Sequence, residues 1–333
     1  MKKHAVFFNS MAFGDCLFGI NSARRFKEHN PDWLVSFVVR DNMRITTNDS
    51  EDSLIEAVEV FSKQPWIDAA GIAIINKQGV LERISLSKTE EEFKKIDLFI
   101  PQVGWWTDFG NNISNNYRIK EYLPEKILND GNLELYVESE KTESNVLRIG
   151  MNGPLDWNRK LQKESLRLDI MYGIKDILDS RNMPSEINLF GVDVGDLSMY
   201  QSLCLLNTHD IFIGPIGSLH HASAALGLDT ISIPSIFPVK LDCPEFYSKK
   251  GKHITVTHRK ENHCGVYETK CLATKMYEDR DSKKFTGQEG PHASLGFWPR
   301  KCPHTTSGWS CTRSVVAKDV LDAFERWLDD RNK

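Results

Sequence analysis

Short apolar runs of the kind that fill a sheet recur along this chain. Between them lie stretches whose apolar residues return at helical spacing. Residues 5–9, 34–39, 69–75 and 98–100 read as buried strands. Residues 17–29 read as a helix ended by Asn30-Pro31, and 53–62 as a helix stopped before Pro65. The pattern goes on with a helix over 116–128, broken at Pro124, and a strand over 133–137.

The segment 139–145, Ser-Glu-Lys-Thr-Glu-Ser-Asn, is polar and without period, and is the expected linker. A second series follows it. Strands are predicted at 146–151, 187–190, 211–214 and 230–233, and helices at 163–178, 197–206, 218–226 and 315–328. The stretch 249–314, rich in Lys, His, Gly, Cys and Thr, shows no clear element. Strand and helix alternating in this way predict parallel sheets with crossover helices. Two such series imply an α/β chain of two doubly wound domains, residues 1–142 and 143–333. Ligands of these sheets bind at the carboxyl ends of the strands.

The 333 residues are enough for two cores. The formal net charge of −4, with both signs interspersed, leaves no electrostatic footprint for nucleic acid. The first apolar run is too short for a signal-peptide core, and no stretch is long enough to span a bilayer. A cytoplasmic protein is therefore expected, with at most peripheral membrane contact. Its seven cysteines default to free thiols.

Four places can carry chemistry. Ser10-Met-Ala-Phe-Gly14-Asp15 follows the first strand and opens a helix. Gly14 permits close backbone approach there, and Asp15 can take a proton from a hydroxyl in the cleft or simply cap the helix. Gly214-Pro-Ile-Gly217-Ser218-Leu-His220-His221 runs from a strand through a glycine into a small-residue helix. The N–H groups at that helix start suit a diphosphate. His220 can reach a phosphate or sugar, or be an ordinary buried histidine. Arg159 and Lys160, after the first strand of the second series, can neutralise phosphate or be solvated surface cations. Trp105, Trp106 and Asp108 pair aromatic faces with a carboxylate, which suits a sugar as well as a core.

Metal signals are slight. Cys264, Cys271, Cys302 and Cys311 can form a zinc site, but neither close pair has the usual structural-zinc gap. Asp279 and Asp281 fall in a charged run that reads as a solvated loop.

Together these pieces resemble glycosyltransferase family 9, the heptosyltransferase-like enzymes. Phe13-Gly14-Asp15 is similar to that family's glycine–aspartate turn, and residues 61–68 to its passage into the third strand. Residues 211–233, with Gly217, His220 and Ala224-Ala225-Leu226-Gly227, resemble its nucleotide-binding signature. Residues 302–315 resemble its cysteine-bearing passage before the last helix. The resemblance implies a GT-B fold of two facing Rossmann-like domains with a cleft between them. It implies an inverting, metal-independent transfer without cofactor, from a nucleotide-sugar donor to a saccharide or glycolipid acceptor such as lipopolysaccharide. Asp15 would be the base, meeting the donor only when the domains close. Gly217, Ser218, Leu219 and His220 would hold the donor diphosphate, with Lys160 or Arg159 against the phosphate and Asp193 near the ribose. Gly14, Trp105, Trp106 and Asp108 would lie on the acceptor side. The chain departs from the family at Pro215-Ile216, where an acidic residue and a hydroxyl are usual. A non-catalytic nucleotide-sugar or glycan-binding protein, and a two-domain nucleotide-sugar epimerase, are the rival readings.

Overall fold

The computed structural model describes residues 2–9, 13–41, 51–75, 81–100, 132–139, 144–154, 164–191, 193, 195–233, 244–256, 315–331 and 333. They form two five-stranded sheets. The first holds β1 (His4–Asn9), β2 (Leu34–Arg40), β3 (Ala69–Ile75), β4 (Leu81–Leu86) and β5 (Leu98–Ile100), in the order β4-β3-β2-β1-β5. Helices α1 (Phe13–His29) and α2 (Glu51–Ser62) belong to it. The second holds β6 (Leu147–Asn152), β7 (Ser185–Phe190), β8 (Ile211–Pro215), β9 (Asp229–Ile233) and β10 (His253–Thr255), in the order β10-β9-β8-β6-β7. Its helices are α3 (Glu164–Ser180), α4 (Met199–Asn207), α5 (Ser218–Leu226) and α6 (Ala317–Arg331). Among the described residues, no helix is long and apolar enough to cross a membrane.

The strands are apolar on both sides because both faces of each sheet are covered. In β1, Ala5 and Phe7 enter the core beside α1 and α2, while Val6 and Phe8 join Val38 and Ala73 on the opposite face. In the second sheet, Leu147, Ile149, Met151, Ile211, Ile213 and Ile231 face α3 and α6. Every pairing is parallel except β3 with β4. The pattern of residues 81–86 did not suggest a strand, since Glu82 and Arg83 interrupt it. They sit on the exposed edge, where charge discourages further pairing. In each sheet the first strand lies between neighbours reached in opposite directions, β1 between β2 and β5, and β6 between β7 and β8. These are the switch points, where a crevice opens at the carboxyl edge.

The two sheets share one core. Residues of α1 and α2 and residues of α4 and α5 belong to a single buried cluster that also takes in Phe190, Phe212 and Tyr247. The layers therefore run sheet, helices, helices, sheet, and then the outer helices α3 and α6. Glu56 of α2 accepts the Met199 N–H at the start of α4 (3.0 Å), a polar tie across the same interface.

Residues 133–137 were expected to be a strand, and they are not one. The segment is extended, with Leu133, Leu135 and Val137 buried in the shared core, yet it joins neither sheet. Its backbone is bonded by both halves in turn. Leu133 N–H donates to the Tyr247 carbonyl (2.8 Å) and Leu135 N–H to that of Ala225 (3.0 Å). Tyr136 N–H donates to Gln64 Oε1 (2.9 Å), Gln64 Nε2 returns a bond to the Tyr136 carbonyl (3.1 Å), and Glu138 N–H donates to Tyr200 Oη (2.9 Å). Side chains and loop carbonyls thus satisfy the strap as a ladder would. The predicted helix over 116–128 lies outside the described residues.

Gln64 is buried and serves Val60 as well as the strap. Gln64→Leu leaves both Tyr136 backbone groups without these partners, and should lower the unfolding free energy by about 1–3 kcal/mol. Urea titration measures this; a loss below about 0.5 kcal/mol, the range of an ordinary surface change, would show that the strap does not depend on Gln64.

Candidate functional site

The carboxyl edges of the two sheets meet where α1 leaves β1 and α5 leaves β8. Helix α1 begins at Phe13, four residues ahead of its expected start, so Asp15 falls inside the first turn rather than at the cap. Its carbonyl accepts a bond from Asn9 Nδ2 (3.3 Å), the side chain that closes β1, and the residue itself is half-buried. The next residue, Cys16, is fully buried. Burial first, then the Asp15 charge, pushes its thiol well up, so it stays protonated and unreactive.

Helix α5 begins at Ser218, as the sequence predicts. Gly217 stands at its N-cap with no side chain to cap it, and the first rung of the helix is His221 N–H to the Gly217 carbonyl (2.9 Å). The N–H groups of Ser218, Leu219 and His220 therefore lie ahead of the helical ladder. The neighbouring helix α4 differs. Ser198 and Gln201 close its start with a reciprocal capping box. Of two helix starts at the same sheet edge, one carries a capping box and the other has a glycine at its cap.

The two helix starts already touch. A Cβ placed on Gly14 would lie 3.2 Å from Ser218 Oγ and 3.3 Å from His221 Cδ2, so the glycine is what permits the approach. Asp15 was expected to meet the phosphate site only on domain closure. In this structure the turn that carries it abuts the first turn of α5. Both helix starts direct the positive ends of their dipoles to this spot, which favours an anionic ligand.

Other candidates divide. The His220 ring does not reach outwards. It is fully buried, edge-on to Phe212 at 5.7 Å, with Nε2 bonded to Ser232 Oγ (2.7 Å). Only its backbone belongs to the helix start. Asp193 is exposed in the turn after β7, where its carboxylate accepts the Leu189 N–H (2.7 Å) and so braces its own strand end. Lys160, Arg159, Trp105, Trp106, Asp108, Asp279, Asp281 and the four cysteines Cys264, Cys271, Cys302 and Cys311 lie outside the described residues. Among the described residues, no cluster of His, Cys, Asp and Glu is placed to hold a metal. Cys204 is a free, half-buried thiol, raised by burial. A hollow lined by Lys2, Lys3, Asp32, Trp33 and Glu92 lies at the amino-terminal edge of the first sheet, away from this site.

Sequence reasoning passed over Asn152. It closes β6 as Asn9 closes β1, and both are buried at the switch points of their sheets. A Cβ on Gly214 would lie 2.3 Å from Asn152 Oδ1, so the asparagine occupies the space that a side chain on β8 would need. The available signal was a polar residue ending the first apolar strand of each series.

No family model matches the chain, and no curated protein is detectably similar to it in sequence. Solved structures are similar. The dodecameric iron-containing heptosyltransferase TibC in complex with ADP-D-β-D-heptose superimposes with a TM-score of 0.56 at 14% identity. The match covers 99% of this chain and 77% of that one. A second structure, the dodecameric iron-containing glycosyltransferase TibC from enterotoxigenic E. coli H10407, gives 0.54 at 13% identity, covering 99% and 80%. The chain has the GT-B fold. In GT-B terms, β1 to β5 form one Rossmann-like unit and β6 to β10 the other, and the contact of α1 with α5 lies where the two units face each other.

The contact gives a direct expectation. Gly14→Val brings a branched side chain against Ser218 and His221, and the helix starts must part. The variant should lose about 1–3 kcal/mol of stability, the usual scale of overpacking. Thermal and urea unfolding measure it, and Gly14→Val unfolding like wild type would show that the approach is looser than the geometry says.

Proposed function

We propose that the chain is a glycosyltransferase that moves a sugar from a nucleotide-sugar donor to a saccharide or glycolipid acceptor, with inversion and without a metal in the transfer step. One observation carries this reading. The glycine-capped start of α5 and the Asp15-bearing turn of α1, from different halves of the chain, stand together at the facing carboxyl edges. The first suits the diphosphate of a donor and the second a base for an acceptor. The likeness in fold to a heptosyltransferase in complex with ADP-heptose supports ADP-heptose as the first donor to try.

In this reading the backbone at Gly217, Ser218, Leu219 and His220 holds the diphosphate, with Lys160 or Arg159 against its charge. An acceptor hydroxyl attacks the anomeric carbon, and Asp15 takes its proton. The bond from that carbon to the diphosphate breaks, and the nucleoside diphosphate leaves with the electron pair. TibC is iron-containing; in this chain Cys264, Cys271, Cys302 and Cys311, the set weighed above for zinc, would be the thiolates to test for any such ion. A metal held by them would be structural, and no step of the transfer runs through it. The enzyme would act in the cytoplasm.

A second reading has one observation in its favour. Pro215 closes β8 in register with Ile233, and Ile216 is fully buried, so neither supplies the acidic group or hydroxyl usual at these positions. A protein that binds a nucleotide sugar without turning it over would fit that departure.

Thermal-shift titration with ADP and ADP-heptose tests the donor site. Ligand at a hundred times its dissociation constant should add about 2.7 kcal/mol. Absence of any shift with these and with other nucleoside diphosphates would sink both readings.

Asp15→Asn separates them. A general base contributes roughly a hundred- to ten-thousand-fold, so turnover should fall by about that factor, with ADP affinity nearly intact and wild-type turnover unaffected by EDTA. Near-normal turnover in the folded variant would remove Asp15 as the base. ADP binding with no wild-type turnover would favour the binding protein.

A further inference from the structure

Within the α5 motif, His221 has no part in the diphosphate site, and Tyr247 follows a 3₁₀ turn at Pro244–Phe246 far along the chain. Their side chains meet in the shared core. His221 Nδ1 and Tyr247 Oη share a hydrogen bond of 2.6 Å, and both residues are buried. Phe18 of α1 sets its ring edge-on to both, 5.3 Å from His221 at 71° and 5.1 Å from Tyr247 at 81°. One helical turn earlier, Gly14 lies against the other side of His221. The pair therefore grips α1 at Gly14 and Phe18, the two positions that bracket Asp15 and Cys16.

Tyr247 is itself fixed. Its N–H donates to the Pro244 carbonyl (3.1 Å), and its own carbonyl accepts Leu133 N–H of the strap (2.8 Å). The next residue, Ser248, donates through Oγ to the Ala224 carbonyl of α5 (3.0 Å). At this point α1, α5, the strap and the second sheet's loop are joined. An apolar pair of the same size would fill the space with no polar groups to desolvate. A buried directional bond adds something an apolar contact lacks, because it specifies one lateral position of the rings and so one seating of α1.

We propose that His221 and Tyr247 are positioning residues for the transfer reaction, holding α1 on α5 so that Asp15 stays beside the diphosphate site. The proposal rests on the transferase reading. It predicts that loss of the bond lowers turnover while leaving donor affinity alone, because a small displacement of a reacting group is enough to slow the step by as much as about a hundredfold.

The test compares wild type with Tyr247→Phe, which keeps the ring packing, and with His221→Leu, His221→Asn and the Tyr247→Phe/His221→Leu double variant. ADP affinity is measured by titration. Turnover is measured as ADP released from ADP-heptose, with water or core lipopolysaccharide as acceptor. Hydrogen exchange is followed over residues 13–18. Tyr247→Phe and His221→Leu should each lose roughly ten- to a hundredfold in kcat, with the ADP dissociation constant within about twofold. The double variant should lose no more than the worse single one, since the two side chains act as a unit. His221→Asn, whose amide stands where Nδ1 does and can still meet the phenol, should recover most of the loss. Exchange at 13–18 should quicken while the strands stay protected. Unchanged kcat per folded molecule, or unchanged exchange at 13–18, in Tyr247→Phe and His221→Leu would overturn the proposal with the transferase reading intact. Wild-type protein that binds neither ADP nor another nucleoside diphosphate, and releases none from its nucleotide sugar, would overturn the transferase reading, and the positioning role with it.

Discussion

Two helices that begin at the edges of different sheets can touch end to end only if one of them has no side chain at the contact. Gly14 supplies that condition, since even a methyl group there would press on Ser218 and His221. The rest of the interface follows from it. With the helix starts in contact, α1 and α2 lie flat against α4 and α5, and the apolar faces of all four close over one another in one cluster. Interfaces between domains of one chain are commonly small and polar, which lets the domains move. This one is apolar and continuous with the core of the first sheet, and it reaches the second sheet at Phe190 and Phe212. The strap at 132–139 adds backbone bonds to each side of it.

The site draws its character from the same contact. A helix start has N–H groups ahead of its ladder whatever its sequence, and most proteins cover them with a side chain. The chain does so at α4, with Ser198 and Gln201, and not at α5, where the cap is a glycine. The two helices start at the same edge of one sheet, so the difference is local. The glycine-capped start is also the one that meets α1. An anion placed there would feel the positive ends of two helices, with Asp15 at the margin.

Much of this was legible in the residues, and where it was not the reasons are physical. Residues 69–75, 98–100 and 218–226 have the bounds the pattern predicts, because each is a short apolar or small-residue run, the last ended by the cap glycine Gly227. The edge strand β4 escaped notice because a half-exposed strand carries charges that blur its alternation. Residues 133–137 alternate as a strand does, and Leu133, Leu135 and Val137 are buried as that pattern requires. Periodicity reports which side of a segment is buried and is silent on what its backbone bonds to. Here the partners are Gln64, Tyr200, Ala225 and Tyr247, all far away in sequence. His220 shows the same limit at the site. A histidine one turn into an anion-binding helix invites a role towards the ligand, yet at that position it faces the sheet and bonds Ser232. His221, one residue on, faces the other half of the molecule.

That one-residue difference bears on how such a fold can change its substrate. The residues that join the halves, Gly14, Phe18, His221, Tyr247 and Leu133, Leu135 and Val137 of the strap, are buried and interlocked, so exchanging any of them disturbs several contacts at once. Trp105, Trp106, Asp108, Arg159 and Lys160 belong to the stretches that follow β5 and β6 in the chain, outside the described residues. Pro215 and Ile216, by contrast, belong to the frame. Pro215 closes β8 in register with β9, and Ile216 N–H donates to the Ile233 carbonyl (3.1 Å). A donor that needs an acidic group at this place cannot obtain it by a surface substitution, because the strand end would have to be rebuilt.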